Sequence, residues 1–232
     1  MKKTFLVGLI TSALLVGCGS DSPTIYPTVT IKVENGTLVD NEVANVTYVC
    51  ADGKVSTTEA NGSFSCSKLP VTFKVGGVTL GSIDKIPADK YVFPQDLVGV
   101  SRNDINDSNV TSIARFLQSC DEDGNLSNGI RIKESVKTQL QDYNETLRSD
   151  TLYSVSNQAQ VTLVNKIDAQ NHLKETTNRV NRLYDCTLDY LEEINATNAT
   201  VDVNETNFVD YVSNNTNISN DLLERVREYC SE

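Results

Sequence analysis

The sequence predicts an α+β fold, with a small antiparallel β-sandwich module over residues 29–100 followed by a C-terminal helical domain over residues 101–232. Three observations predict it. Short runs rich in β-branched residues and bounded by Gly, Asn or Asp fill the first stretch. Past about Gly99 the apolar residues recur at helical spacing instead. Hydrophobic residues make up 39% of the 232, ordinary for a chain that folds around cores of its own.

The chain opens with a basic head (Lys2, Lys3), a twelve-residue apolar run from Phe5 to Val16, and the segment Leu15-Val16-Gly17-Cys18. The run is too short to cross a bilayer as a helix. This layout resembles the bacterial lipoprotein signal, whose lipobox ends in the cysteine that takes diacylglycerol and becomes the mature N-terminus. The resemblance implies that residues 1–17 are a signal peptide and that Cys18 is the lipidated residue, with palmitate among its acyl chains. The mature chain would then be anchored in a cell envelope rather than threaded through a membrane. Gly19 and Ser20 follow the cysteine without the aspartate that commonly retains such proteins in the inner membrane, so the outer membrane is the expected destination, in either leaflet. Residues 18–28 are small, polar and proline-bearing, and read as a tether.

From Val29 the predicted strands are Val29–Val33, Val46–Cys50, Ser63–Cys66, Val71–Val75 and Val78–Leu80. Each alternates or is β-branched and ends in turn chemistry, the texture of a small sandwich. Asp107-Ser108 is placed to cap a helix carrying Val110, Ile113, Ala114, Phe116 and Leu117. Val136, Leu140, Tyr143 and Leu147 form a second helical stripe. A longer one runs from Leu163, Val164 and Ile167 through Val180 to Leu191, and shorter helices close the chain after a polar stretch from Asn195 to Asn207. These stripes are expected to pack cores.

Five cysteines remain after Cys18, and an exported chain sits where disulfides are stable. Cys50 and Cys66 lie on predicted neighbouring strands with a turn-rich segment between them, and are the first expected pair. Cys186 and Cys230, near the ends of predicted C-terminal helices, are the second. Cys120 is then left over, either buried as a small hydrophobe or exchanging with another cysteine.

Three stretches are informative together: Thr58-Glu-Ala-Asn-Gly-Ser-Phe64, Val71-Thr-Phe-Lys-Val-Gly-Gly-Val-Thr-Leu-Gly81, and Ala114-Arg-Phe-Leu-Gln-Ser-Cys-Asp-Glu-Asp-Gly-Asn-Leu-Ser-Asn-Gly-Ile130. Over about residues 36 to 132 they resemble a module of proteobacterial surface lipoproteins. In that family a transthyretin-like or immunoglobulin-like β-module precedes a helix ending in Leu-Gln-Ser-x-Asp-x-Asp-Gly-x-x-x-Asn-Gly-Ile. The family usually has a plain residue at the places of Cys66 and Cys120, so the resemblance implies no disulfide pattern. It bears on fold and location, not on activity.

The most ligand-rich segment is Asp121-Glu-Asp-Gly-Asn-Leu-Ser-Asn128. Oxygens at Asp121, Asp123 and Asn125, with Asn128 nearby and Gly124 easing the turn, suit calcium as a structural ion. Ile132 stands where an EF-hand loop has its bidentate acid, so the match to that loop is poor. The alternative is an Asx-rich turn whose side chains cap backbone amides. Twelve Asn-x-Ser/Thr sequons also occur, and seven carry Asp or Glu two residues before the asparagine: Asn61, Asn106, Asn109, Asn125, Asn144, Asn195 and Asn204. That is several-fold more than 31 acidic residues in 232 place by chance, and it fits the longer sequon at which some bacteria glycosylate exported proteins. All but Asn125, which glycosylation and calcium would contest, are candidate acceptors. Clustering of Asn and Asp in loops is the plain alternative.

Without Lys2 and Lys3 the chain has 18 basic against 31 acidic residues, a net charge of −13, which repels nucleic acid and anionic headgroups. The membrane is therefore met through the lipid, and the other expected partner is a protein or glycan. His172, the only histidine, is expected in a solvated helix face. No Gly-x-Ser-x-Gly, phosphate loop or HExxH occurs, so no catalysis is expected. The expected function is binding or structural display at the envelope. The alternatives are a periplasmic accessory or assembly lipoprotein docking a partner complex, and an envelope polysaccharide hydrolase using two carboxylates in one cleft.

Overall fold

Strand alternation places the core. The computed structural model describes residues 33–197, and within them nine strands and five α-helices follow one another. The strands are β1 (Glu34–Leu38), β2 (Val43–Ala44), β3 (Thr47–Cys50), β4 (Val55–Thr57), β5 (Ser63–Cys66), β6 (Val71–Val75), β7 (Val78–Ile83), β8 (Tyr91–Val92) and β9 (Ile130–Arg131). The helices are α1 (Pro94–Val98), α2 (Ser108–Ser119), α3 (Glu134–Gln139), α4 (Leu152–Gln158) and α5 (Lys166–Thr197). The fold is α+β, with an antiparallel sheet ordered β4-β3-β6-β7, a three-stranded sheet β5-β1-β8 and a parallel pair β2-β9. Of the expected strand Val29–Val33, only Val33 is described, and it precedes β1.

Every second residue of β6 (Val71, Phe73, Val75) is fully buried, while Thr72 and Lys74 face outward. Phe64 on β5 meets Phe73 edge to face at 5.0 Å and Tyr48 on β3 at 5.8 Å, so aromatic rings join the three- and four-stranded sheets. Cys50 and Cys66 are bonded beside them, with Cα atoms 5.6 Å apart. They lie in different sheets, not on neighbouring strands as the sequence reading had it. The inward positions of β3 and β5 bring the two sulfurs together. At Gly36 a Cβ would come within 2.6 Å of the Phe64 ring, so β1 passes that ring only because glycine stands there.

Asp107 caps α2, its Oδ1 accepting from the Asn109 and Val110 amides at 2.8 and 3.0 Å. Val110, Ile113, Ala114, Phe116 and Leu117 are all buried, as their spacing predicts. The Val136 to Leu147 stripe is not one helix. Helix α3 ends at Gln139, and the next residues run along the edge of β7, where Gly77 N–H donates to Leu140 O (2.7 Å), Thr79 N–H to Glu145 O (2.8 Å) and Leu147 N–H to Thr79 O (2.8 Å). An unpaired strand edge competes for these backbone groups and wins over helix continuation. The last stripe is shifted as well. Leu163 and Val164 precede α5, Ile167 is 58% exposed, and the buried face runs through Ala169, Leu173 and Val180.

One buried cluster extends from Leu38 to Ala159 and takes side chains from β3, β6, β7, α2, α3 and α4. A smaller one, with Val39, Phe93, Val110, Ala114, Leu173 and Val180, seats α5 against α2. Arg102 fastens α1 from outside, reaching the Asp89 and Asp96 carboxylates and the Tyr91 carbonyl while its guanidinium lies 4.6 Å from the Phe93 ring centre.

The Cys50–Cys66 bridge closes a sequence separation of 16, for which chain-entropy arguments give a stabilisation of about 3 kcal/mol. Replacing both cysteines with alanine is expected to lower the unfolding free energy by about that amount, read from non-reducing urea curves whose slope steepens as the uncrosslinked unfolded chain exposes more surface.

Candidate functional site

Two polar clusters meet at the C-terminal end of α2. The first is the segment Asp121 to Asn128, between α2 and β9. Asp121 is only 3% exposed; its Oδ1 accepts from the Arg131 amide at 2.8 Å, and its Oδ2 is buried without a hydrogen-bond partner. Asp123 is exposed: Oδ1 accepts from the Asn125 amide at 2.8 Å and Oδ2 from the Asn128 side-chain amide at 3.0 Å. Those two donors, Asn128 foremost, hold the Asp123 carboxyl below the usual carboxylate range, and the Asp121 carboxyl is within reach of it. Asn125 turns inward on its own loop, its Oδ1 accepting from the Ser127 hydroxyl at 2.7 Å and the Ser127 amide at 3.3 Å. The structure thus gathers Asp121, Asp123 and Asn128 at a cleft of about 390 Å³, also lined by Ala44 and Arg131, and commits Asn125 to an Asx turn. No group of three or more His, Cys, Asp or Glu side chains with metal-site geometry occurs among the described residues.

The second cluster centres on Asp40, which follows β1 and was not singled out from the sequence. It is fully buried; Oδ2 accepts from Gln118 Nε2 at 2.8 Å and Oδ1 has no hydrogen-bond partner. His172 on α5 sits beside it, Nε2 lying 3.1 Å from the Asp40 carbonyl oxygen and 4.0 Å from Oδ1. This corrects the expected solvated histidine. Its side chain is 19% exposed, because α5 turns that face onto the turn after β1. Thr176 Oγ1 accepts from the Asn41 amide at 3.1 Å, Arg179 donates to Asn41 Oδ1 at 2.6 Å, and Asn41 Nδ2 donates to Leu126 O at 2.6 Å. Asn41 itself sits at φ +58°, a conformation asparagine tolerates. The sequence signal for this cluster is faint: an acid directly after the apolar pair Leu38-Val39, with no spacing that points to α5.

Burial pushes the Asp40 carboxyl up to about 7, against a hydrogen bond from Gln118 that pulls it down. Cys120 is free and buried, the first of its two expected states, and burial pushes its thiol up, away from the reactive thiolate. Cys186 is disulfide-bonded, but Cys230, its expected partner, lies outside the described residues, as do Cys18 and Asn204. Of the expected glycan acceptors, Asn61, Asn106 and Asn144 are exposed. Asn109 is half-buried with its Oδ1 accepting from the Ser149 amide at 3.0 Å, and Asn195 lies in α5.

A carboxyl whose folded pKa stands above its unfolded value of 3.8 contributes stability that is fully present below that value and is lost as pH rises through about 7. Asp40→Asn removes this titration while keeping an oxygen for Gln118. The variant is expected to melt higher than the parent above pH 8, by on the order of 4 kcal/mol of stability, with the difference vanishing near pH 4. Thermal melts across that range check it.

Comparison with protein-family models, curated proteins and solved structures finds no match for this chain.

Proposed function

We propose that this chain is a cell-envelope lipoprotein, held at the outer membrane by acyl chains on Cys18, that acts by binding or structural display rather than catalysis. The observation that carries the reading is the Cys50–Cys66 bond, accompanied by a second disulfide at Cys186. Structural disulfides persist in oxidising compartments, and the N-terminal sequence up to Cys18 supplies the route there. The three- and four-stranded sheets, linked by that bond and by the Phe64 contacts, serve in this reading as the two leaves of the small sandwich, and the helices after residue 100 as its C-terminal partner. No helix among the described residues is long and apolar enough to cross a membrane. The partner displayed to is a protein or a glycan, not nucleic acid, given the net charge of −13 from Cys18 onward.

Asn61, Asn106 and Asn144 are the acceptors best placed for glycans in this reading. All three are exposed, and each lies outside the α-helices and clear of the second cluster.

Two measurements test the proposal. Radiolabelled palmitate is expected to enter the parent protein and not Cys18→Ser, which should leave the membrane fraction; labelling or sedimentation unchanged by the substitution ends the lipoprotein reading. The intact mass of protein from the native host is expected to exceed the lipidated polypeptide mass, and the excess to shrink with Asn61→Gln and Asn144→Gln. A mass equal to polypeptide plus lipid removes the glycans and leaves the anchor standing.

A further inference from the structure

We propose that the cleft between α2 and β9 holds a calcium ion, bound by the free Asp121 Oδ2 and the Asp123 carboxylate, with Asn128 turned to present its amide oxygen. Acidic residues in a loop would not carry this alone. The independent observation is Asp121, a side chain 97% removed from solvent that lines the cleft and keeps one oxygen without any donor. A buried carboxylate oxygen in that state costs free energy unless a proton or a cation meets it. A second carboxyl, Asp123, lines the same cleft, and the pair is relieved either by one shared proton or by a cation. Two carboxyl groups lining one cleft supply the oxygen donors that calcium takes, and a hard cation with flexible coordination meets both at once.

The geometry revises the ligand set that the spacing alone gives. Asn125 drops out, because its oxygen is already shared between the Ser127 hydroxyl and amide. Asn128 stays, since its side-chain amide already contacts Asp123 Oδ2 at 3.0 Å, and a half-turn of that amide swaps nitrogen for oxygen. Water in the exposed cleft completes the shell. The ion would fix the end of α2 against β9, which pairs with β2. With two carboxylates and no bidentate acid from a long loop, the affinity belongs to the weak range of extracellular sites, about 10⁻⁴ to 10⁻³ M.

This inference is separate from the lipid anchor, so either can fail alone. The probe is calcium chloride added to the full chain in detergent after chelation, with magnesium chloride as the comparison. Expected are a one-site calorimetric isotherm and a melting temperature raised by about 5 °C at 10 mM calcium, with a smaller magnesium effect. Asp121→Asn and Asp123→Asn should each abolish both responses. Asp123 is exposed and an asparagine there still accepts from the Asn125 amide, so its variant keeps the fold at a slightly lower unliganded melting temperature, against which the calcium response is read, even where Asp121→Asn, which also touches the Arg131 amide, does not fold. No heat and no shift in the parent, or a response that survives Asp123→Asn, overturns the proposal.

Discussion

The need to close short strand edges organises this fold. Strands of two to six residues leave much of their backbone N–H and C=O unpaired, and buried backbone groups without partners are costly. Here later segments complete the earlier sheets. The pair β2-β9 joins residues before and after α2, and residues 140–147 lie along β7. Gly76 and Gly77, at the turn between β6 and β7, permit that approach: at Gly77 a Cβ would stand 2.3 Å from the Tyr143 carbonyl. The hydrophobic cluster that runs from Leu38 to Ala159 is a consequence, because backbone pairing brings helices α3 and α4 against the sheet before any side chain is counted.

The same requirement explains the polar seam between α5 and the turn after β1. That turn reverses the chain at Asn41, in a conformation that gives its amide no strand partner, and it lies under α5. Thr176 meets the amide, Arg179 the side-chain oxygen, and His172 the preceding carbonyl. Leu173 and Val180 supply the apolar half of the contact. Asp40 is the cost of this arrangement. Gln118 satisfies one of its oxygens and donates from the same amide nitrogen to the Ala169 carbonyl at 3.2 Å, so a side chain of α2 ties the buried acid to α5.

Local chemistry was legible in the sequence, and long-range pairing was not. The inward residues of β3, β5 and β6, the Asp107 cap and the buried face of α2 follow from periodicity and capping rules that need only neighbours. The Cys50–Cys66 bond was legible as a pair, though not as a link between sheets. The stripe through Tyr143 and Leu147 misled because helical spacing also arises by chance in a segment whose backbone answers to β7. The offset of α5 had a similar source: Ile167 fits the apolar pattern, but the surface α5 meets selects Ala169 and Leu173. In the candidate site, Asp121, Asp123 and Asn128 were found from spacing alone, since they lie within one loop. Asp40 and His172 come from positions far apart in the chain and meet only through the tertiary fold.

The segment from Leu117 to Asp121 shows why a pattern of this kind can be structural throughout. Leu117 is core, and Gln118 reaches Asp40. Ser119 Oγ accepts from the Val164 amide at 2.9 Å, which holds the segment leading into α5. Cys120 fills a buried position, and its carbonyl receives the Lys133 amide at 3.1 Å. Asp121 receives the Arg131 amide. Five successive residues thus bind four separate parts of the chain, with different atoms and no redundancy among them. A helix end that works as a junction has to stop at a fixed place, and the turn from Asp121 to Asn128 sets that place by capping its own amides. Within Leu117 to Asp121 this stitching leaves one buried side-chain oxygen without a hydrogen-bond partner, the Asp121 Oδ2.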